Sequence, residues 1–404
     1  MGFEQSVKAE ARAPVARSRH VLVSALGITQ ILAWGSSYYL PAVLAAPIAA
    51  ETGWSLASVV AGLSCGLLLA GLASPIIGRL IQRHGGRPVL AASSLLLAAA
   101  HLLLAAATVY PLYLLAWLFM GLGMSSGLYD AGFATLGRLY GQGARGAITN
   151  LTLFGGFAST VCWPLSAFLV AHEGWRVTCL SYAAIHLLIC LPLHLWVIPP
   201  PPPVSTPAPA TAERKQASTT GRASTRFILL ASIQTVSALI ASMLSVHLLT
   251  LLQLRGVSLA VAVGLGALVG PSQVGARVAE MLIGRNRHHP IWTMLASVSL
   301  LAAGVWLLLA SQTLIALALI LYGAGNGIHT IARGALPLVL FDPQQYAALM
   351  GKLATPSLIV QAAAPSIGAL LLGTGGCDLV LMTLALAATV NLALCARLVA
   401  VVRR

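Results

Sequence analysis

One apolar stretch of the sequence, near residue 330, carries a regular series of polar side chains. Asn326, His329, Thr330 and Arg333 stand at positions i, i+3, i+4 and i+7, so on a helix they share one face. Such a face is costly against lipid and suits water, a solute or a partner helix. A guanidinium binds planar carboxylates through two hydrogen bonds, so Arg333 favours an anionic ligand. These four residues are the first candidates for substrate binding.

Two other apolar stretches carry similar stripes. The first consists of Gln30, Trp34, Ser37 and Pro41, with Tyr38 beside it. The second is weaker and consists of Gln234, Ser242 and Ser245. We add Gln30, Trp34, Ser37, Tyr38 and Gln234 to the predicted substrate-binding residues. The aromatic cluster Trp34, Tyr38 and Tyr39 also suits cation–π contacts, so a cationic or neutral ligand is the alternative.

Two charges lie deep within apolar stretches. Asp130 stands eight residues before Arg138, and Arg333 eight before Phe341, which places each about 12 Å inside the expected membrane boundary. Each alone would cost several kcal/mol to bury, and facing one another they would offset that cost. Asp130 is therefore the candidate for proton coupling, releasing Arg333 to hold an anion when it is protonated. The alternative is a structural clamp between Asp130 and Arg138 or Arg79.

The other titratable residues are expected to play structural roles. His101, His186 and His247 stand alone in apolar stretches and are expected to pack or lie at interfaces, not to relay protons. Arg277 and Glu280, three residues apart, are expected to pair within one helix and support a gate. The six cysteines show no metal-binding spacing, so no metal site is expected.

The elements that hold these residues follow from the composition. Of the 404 residues, 58% are hydrophobic and 8% charged, against about 25% charged in a soluble domain. Apolar runs of about 20 residues recur, each long enough to cross a bilayer as a helix. No period-two alternation appears, so we predict an all-α membrane protein. The net charge of +14 does not indicate nucleic acid, because basic residues flank alternate ends of the runs.

The chain is duplicated about a polar linker. Gly121 and Gly323, like Pro88 and Pro290, are 202 residues apart. The stretch Pro199–Arg226 begins with five prolines and buries nothing, which is typical of a solvated linker. We predict a tail at 1–20, a first six-helix half at 21–198, the linker at 199–226 and a second half at 227–404.

Twelve transmembrane spans are predicted. In the first half they are 21–48, 56–80, 89–109, 112–140, 147–171 and 177–198. In the second they are 227–253, 258–282, 291–311, 314–341, 347–373 and 379–401. Loops after even-numbered spans, together with the termini, hold most of the arginines that lie outside the spans. The positive-inside rule therefore predicts a multi-pass protein of the cytoplasmic membrane, with both termini and the linker in the cytoplasm.

The loop after span 2 contains Gly78, Arg79, Arg83, Gly85 and Arg87, which we predict to form a gate. Gly78 would let two helices approach closely, and Gly85 allows a tight turn. Through Gly78, Arg83, Gly85 and Arg87 the loop resembles the G-x-x-x-D-R-x-G-R-R motif of the major facilitator superfamily. Gln82 replaces the acidic residue of that motif. The resemblance implies two halves of six helices with spans 1, 4, 7 and 10 around a central cavity.

A narrower resemblance lies in spans 1 and 4. The segments that carry it are Gly121-x-Gly123-x-x-x-Gly127-Leu-Tyr129, Arg138-Leu-Tyr140, Ala144-Arg-Gly146, Tyr39-Leu-Pro41 and Gly53-Trp-Ser55. They are similar to segments of monocarboxylate and oxalate–formate type porters. No charged binding residue of those porters is matched in spans 1 or 8.

We therefore predict a secondary transporter, not an enzyme, that works by alternating access about a midplane site. Its solute is a small organic molecule, with a proton-coupled organic anion favoured. Efflux of a neutral or cationic compound is one alternative, and a non-transporting receptor or scaffold is another. Gly351-Lys352 lacks the preceding glycine of a phosphate-binding loop, so we expect neither a cofactor nor an ATPase partner. Its expected partners are the solute and the lipid bilayer, and the protein itself is expected to be a monomer.

Overall fold

The computed structural model describes residues 18–200, 216–284 and 288–403, with the side chains of 216–223 and of residue 284 left aside. Residues 1–17 of the predicted tail and 201–215 of the predicted linker lie outside the described residues. Throughout the described ranges the protein is helical, with no strand. Nine stretches in these ranges are long and apolar enough to cross a membrane. Tyr110–Trp196 contains three spans and Pro343–Arg403 contains two, so the total is twelve, as predicted.

The first half contains nine helices, which form spans 1 to 6. They are α1 Arg19–Ser36, α2 Pro41–Thr52, α3 Leu56–His84, α4 Gly86–Ala106, α5 Tyr110–Gly127, α6 Tyr129–Tyr140, α7 Arg145–Gly156, α8 Ala158–Ile185 and α9 Leu191–Trp196. A short 3-10 helix, Gly141–Ala144, precedes α7, and a π turn, His186–Cys190, joins α8 to α9.

The second half contains six helices, which form spans 7 to 12. They are α10 Gln216–Leu254, α11 Leu259–Gly266, α12 Val269–Gly284, α13 Pro290–Ala310, α14 Ile315–Leu340 and α15 Tyr346–Arg403. A 3-10 turn, Pro343–Gln345, precedes α15. Helix α10 begins at Gln216, inside the range predicted as linker, because polar composition shows that a segment is not buried but does not exclude a helix.

The duplication extends to the turns between spans. Gly174 (φ 81°) joins spans 5 and 6, and Gly376 (φ 67°), 202 positions later, joins spans 11 and 12. Both backbones are left-handed, a conformation that glycine adopts without steric cost. Next to these turns Arg176 pairs with Glu51 at 2.9 Å, and Asp378 pairs with Arg255 at 3.5 Å. The same contact between the ends of spans thus occurs in both halves with the charges exchanged.

Four spans are broken near their middles. Span 1 breaks between Ser36 and Pro41, span 4 at Leu128, span 5 at Phe157 and span 8 between Gly266 and Val269. Irregular backbone at membrane depth is tolerated where it is buried in protein or lines a cavity. At the breaks of spans 1 and 4 the residues are buried or half-buried, whereas Phe157 and Ala267 at the other two breaks are exposed.

The largest core that the described parts of the two halves share lies at one end of the bundle. We call the end that holds the loops 84–86, 140–145, 288–290 and 340–346 the linker end. One buried cluster there joins residues of both halves, for example Ile148 and Leu336. Toward the opposite end each half has mainly its own core, although Ala362 of the second half joins the cluster of the first, and α2 and α11 pack against helices of their own half. The halves are thus closed against each other at the linker end.

Candidate functional site

The structure pairs the two deepest predicted charges across the halves. Arg333 Nη2 donates a hydrogen bond to Asp130 Oδ1, and each side chain is 19% exposed. Asp130 lies in the first turn of α6, where the helix dipole favours a carboxylate. The alternative clamp with Arg138 is not observed, since Arg138 Nη1 donates to the Gln82 carbonyl. The role of Asp130 in proton coupling stays a prediction.

A small cavity adjoins this ion pair at the contact between spans 2 and 11. Its lining includes Ser74, Gly78, Ser125, Asp130, Ala347 and Gly351. A Cβ atom on Gly78 would lie 2.6 Å from the Ala347 carbonyl oxygen, so only glycine fits at this seam. Asp130 therefore lies directly beside the surface where the halves are closed.

Arg277 takes an unexpected position. It is 5% exposed, and its guanidinium donates to the carbonyls of Thr152 at 2.8 Å and Gly327 at 3.2 Å, one in each half. Gly156 gives it room, because a Cβ there would lie 2.5 Å from Arg277 Nη1. Among the described residues no carboxylate lies within ion-pair distance of Arg277.

The predicted pairing of Arg277 with Glu280 is therefore wrong. Glu280 Oε1 instead accepts a hydrogen bond from Thr293 Oγ1 at 2.8 Å and lies 3.4 Å from Arg145 Nη2 of the first half. The physical reason is that the carbonyls of Thr152 and Gly327 accept from the guanidinium and Gly156 leaves space for it, which draws Arg277 inward, away from Glu280. Spacing along one helix carries no information about either feature.

Aromatic rings line the space next to these cations. The Trp34 ring lies 5.4 Å from that of Tyr38, 6.1 Å from Tyr39 and 5.1 Å from Tyr129. Tyr39 also contacts Trp163 at 6.0 Å. The break in span 1 places Tyr38 and Tyr39 in this group. The predicted aromatic cluster of Trp34, Tyr38 and Tyr39 is thus extended by Tyr129 and Trp163.

Several polar atoms of the predicted binding residues are buried without a partner. They are Gln30 Oε1, Trp34 Nε1, Gln234 Nε2 and Arg333 Nε. Buried polar groups nearly always have a hydrogen-bond partner, so each of these atoms could bind a polar ligand or water. Gln30 uses its other amide atom, Nε2, to donate to the Gly127 carbonyl at 2.6 Å.

The remaining predicted binding residues are engaged by protein atoms or stay partly open. Ser37 Oγ donates to the Ala33 carbonyl at 2.5 Å, and Thr330 Oγ1 donates to the Asn326 carbonyl at 3.2 Å. His329 is buried against span 9, with Nδ1 3.4 Å from Ser297 Oγ. Asn326 is half-buried on the same helix. Sequence reasoning had missed Tyr129 and Thr152, since neither shares a helical face with other polar candidates.

The linker end is held by hydrogen bonds between the halves. Gln82 Nε2 donates to the Gln344 carbonyl, and Arg145 Nη1 donates to the His288 carbonyl at 2.7 Å. Gln82 thus makes a contact across the seam with its amide at the position where the family motif has an acid. Of the other predicted gating residues, Arg79 and Arg83 are exposed, Arg87 is half-buried, and Gly85 forms the turn with φ 80°.

The sequence matches the family model of the Major Facilitator Superfamily over residues 26–288, which is more than half of the chain. The chain belongs to the major facilitator superfamily. Members of this superfamily are membrane transporters of small-molecule solutes rather than enzymes, and this protein is a secondary transporter of the same fold. The sequence matches no curated protein directly.

Solved structures share the fold of this superfamily member along nearly its whole length. The human organic anion transporter MFSD10 (TETRAN) has a TM-score of 0.73 and 17% identity, covering 95% of this chain and 100% of that one. FucP in the outward conformation has a TM-score of 0.70 and 14% identity, covering 95% and 99%. The proton:xylose symporter XylE has a TM-score of 0.66 and 13% identity, covering 93% and 94%. At these identities the likeness shows the fold alone.

Proposed function

We propose that the protein carries a small organic anion across the cytoplasmic membrane by alternating access, coupled to protons. The observation that carries the proposal is Arg277, a buried cation that donates to a carbonyl of each half and has no carboxylate partner among the described residues. A buried charge without a counter-charge costs several kcal/mol, and an anionic solute would supply that counter-charge. Arg277 therefore replaces Arg333 as the first anion-binding residue.

The chemistry of the surroundings supports a solute with both a carboxylate and an apolar body. The aromatic cluster offers large apolar faces with a few polar atoms, as ligand sites commonly do. The unpartnered atoms of Gln30, Trp34 and Gln234 could bind further polar groups of the solute. The resemblance to monocarboxylate and oxalate–formate porters, and the fold shared with an organic anion transporter, agree with this solute class.

Proton coupling rests on the Asp130–Arg333 pair. While Asp130 is charged it occupies Arg333, and protonation would free the guanidinium for a second contact with the anion. Structurally similar proteins include FucP and XylE, which are proton symporters. Because Asp130 also borders the seam between spans 2 and 11, its protonation would act where the halves must separate.

The charge distribution supports a cytoplasmic linker end. In that orientation both termini lie in the cytoplasm, and the conformation described here is closed to the cytoplasm and faces outward. The anion would enter from outside, bind at Arg277 and be released once the linker end opens.

The test is ligand-induced thermal stabilisation of the purified protein, because a ligand that binds only the folded state raises its unfolding temperature. We expect aromatic and aliphatic monocarboxylates to stabilise the wild type. The Arg277→Gln variant should need at least ten times more ligand for the same shift in unfolding temperature. Arg79→Gln, an exposed cation at the linker end, is the matched control and should keep the wild-type response. Equal stabilisation of the wild type and Arg277→Gln would exclude Arg277 as the anion site.

A cationic or neutral solute for efflux is the second candidate, and the aromatic cluster is the observation that favours it. In the same assay, quaternary ammonium compounds would then stabilise the protein, and Trp34→Leu would remove the effect while Arg277→Gln would not.

A further inference from the structure

His101 has an environment unlike that of any other histidine in the protein. It lies in span 3 and is fully buried. Its Nδ1 atom is 2.6 Å from the Leu97 carbonyl oxygen, and its Nε2 atom is 2.9 Å from the Ser36 carbonyl oxygen of span 1. Both ring nitrogens therefore contact carbonyl oxygens, which can only accept hydrogen bonds.

A neutral imidazole cannot satisfy both contacts. It has one N–H and one lone pair, so one carbonyl oxygen would face the lone pair of the ring. Only the imidazolium, with an N–H on each nitrogen, donates to both. We propose that His101 is a proton-binding site inside the first half, whose imidazolium form is the one that satisfies both contacts.

The contact with Ser36 gives the proton a structural effect. Ser36 ends α1, and the amide that would reach its carbonyl in a continuous helix, Leu40 N–H, donates to Ser37 instead. Pro41, the next residue, has no N–H to offer. The His101 imidazolium therefore supplies the donor that the break in span 1 removes.

The groups that face His101 explain why one proton is bound and not two. From span 6 the rings of His186 and Tyr182 each lie 5.6 Å away, and His186 Nε2 is 2.8 Å from Ser36 Oγ. His186 Nδ1 has no partner, which suits a neutral ring. Two charged rings stacked at this distance would repel each other. In the described part of the chain no carboxylate lies within ion-pair distance of His101.

The other buried histidines do not require a charge. His194 contacts two hydroxyl groups, those of Ser94 and Thr29, which can donate or accept. His247 of span 7 contacts a single carbonyl, that of Pro365, at 2.9 Å. A neutral tautomer satisfies each of these, so His247 is the matched control for His101.

Proton binding at His101 would stabilise the broken form of span 1. Trp34 lies just before this break, and Tyr38 and Tyr39 lie within it. Protonation of His101 would therefore affect how the rings of the aromatic cluster are arranged. This stabilisation of the broken form of span 1 is present at pH values at which His101 is protonated. It is lost as the pH rises and His101 releases its proton. The site lies within one half, and it is independent of the proposed roles of Arg277 and Asp130.

The direct test is nuclear magnetic resonance of the whole protein in lipid nanodiscs with ring nitrogens of histidine labelled with nitrogen-15. Neutral and doubly protonated rings have distinct nitrogen shifts. We expect an imidazolium signal from His101 within the pH range in which the protein stays folded, absent in His101→Gln and kept in His247→Gln. Only neutral signals for His101 at every pH at which the protein stays folded would overturn the proposal.

A second measurement assigns the imidazolium signal to His101 in the wild-type protein, so it does not require that a variant folds. In wild-type protein with carbon-13 at serine carbonyls, His101 is the histidine whose ring contacts a serine carbonyl, that of Ser36. A through-space signal between this carbon and an imidazolium nitrogen is the expected result. The same signal from a neutral ring would contradict the proposal.

Discussion

At the scale of the residue, the interior of this transporter contains three charged side chains that differ in the partners they contact. Asp130 and Arg333 offset one another, whereas Arg277 donates to two carbonyls and pairs with no carboxylate among the described residues. Removing one member of a fully buried ion pair costs about 3–5 kcal/mol, a figure that the 19% exposure of each side chain lowers. The pair is thus stable enough to persist.

We predict that Asp130→Asn loses proton-driven uptake and keeps solute counterflow, because the neutral amide mimics a permanently protonated Asp130. Arg333→Gln should reduce both modes, and the double variant should resemble Arg333→Gln alone. The measurement is uptake and counterflow of the solute in proteoliposomes with and without a pH gradient.

The control for this series is Glu173→Gln, which neutralises an exposed acid at the opposite end of the bundle and should leave transport unchanged. Full proton-driven uptake by Asp130→Asn would show that Asp130 is structural and would leave the coupling hypothesis without support.

At the scale of the element, the closed seam depends on backbone contact between spans 2 and 11. Gly78 faces the Ala347 carbonyl, and Gly351 faces the Ser74 carbonyl from the other side. Two glycines in register allow the helices to touch without side chains between them. The hydrogen bond from Gln82 to the Gln344 carbonyl then joins the loops next to this contact, and Arg145 joins the loops after spans 4 and 8.

We predict that Gly78→Leu abolishes transport while the protein still reaches the membrane. A leucine would force the two helices apart, and overpacking of this kind typically costs about 1–3 kcal/mol. The cost falls on the conformation closed at the linker end, so the variant should favour the opposite conformation. Transport in proteoliposomes and surface quantification check the result.

Gly275→Leu is the matched control, because a Cβ at Gly275 meets nothing within 4 Å on the exposed face of span 8. It should transport like the wild type. If Gly78→Leu also does, the loop after span 2 serves insertion into the membrane and not gating.

At the scale of the whole molecule, two similar halves share a large core at the linker end and have mainly their own cores toward the other end. Such an arrangement lets each half move as a unit about the interior site. The exchanged pairs Glu51–Arg176 and Arg255–Asp378 act within a half, so they stabilise the units without joining them.

We predict that the linker lies in the cytoplasm. A single cysteine placed at Ser205, in a background without the six native cysteines, should react with an impermeant thiol reagent only after the cells are opened. A cysteine at Glu173 should react in intact cells. Labelling of Ser205→Cys in intact cells would reverse the orientation and, with it, the outward-facing assignment.

The amino-acid sequence by itself determined the class, the twelve spans and the duplication, because lipid allows one solution for apolar runs of about 20 residues. It also predicted the contact between Asp130 and Arg333, since equal depth on equivalent helices brings two buried charges to one level. Span limits agree within several residues, apart from α10, whose polar first turns lie in the predicted linker.

The tertiary structure alone decided what the buried side chains meet. Arg277 turns away from Glu280 because Gly156 leaves space and Thr152 offers a carbonyl, and both belong to the other half of the chain. His101 was expected to be a packed residue, and the Ser36 carbonyl that makes it a candidate proton site is freed only by the break in span 1. Spacing along a helix defines which residues share a face, whereas packing between helices defines the atoms opposite that face.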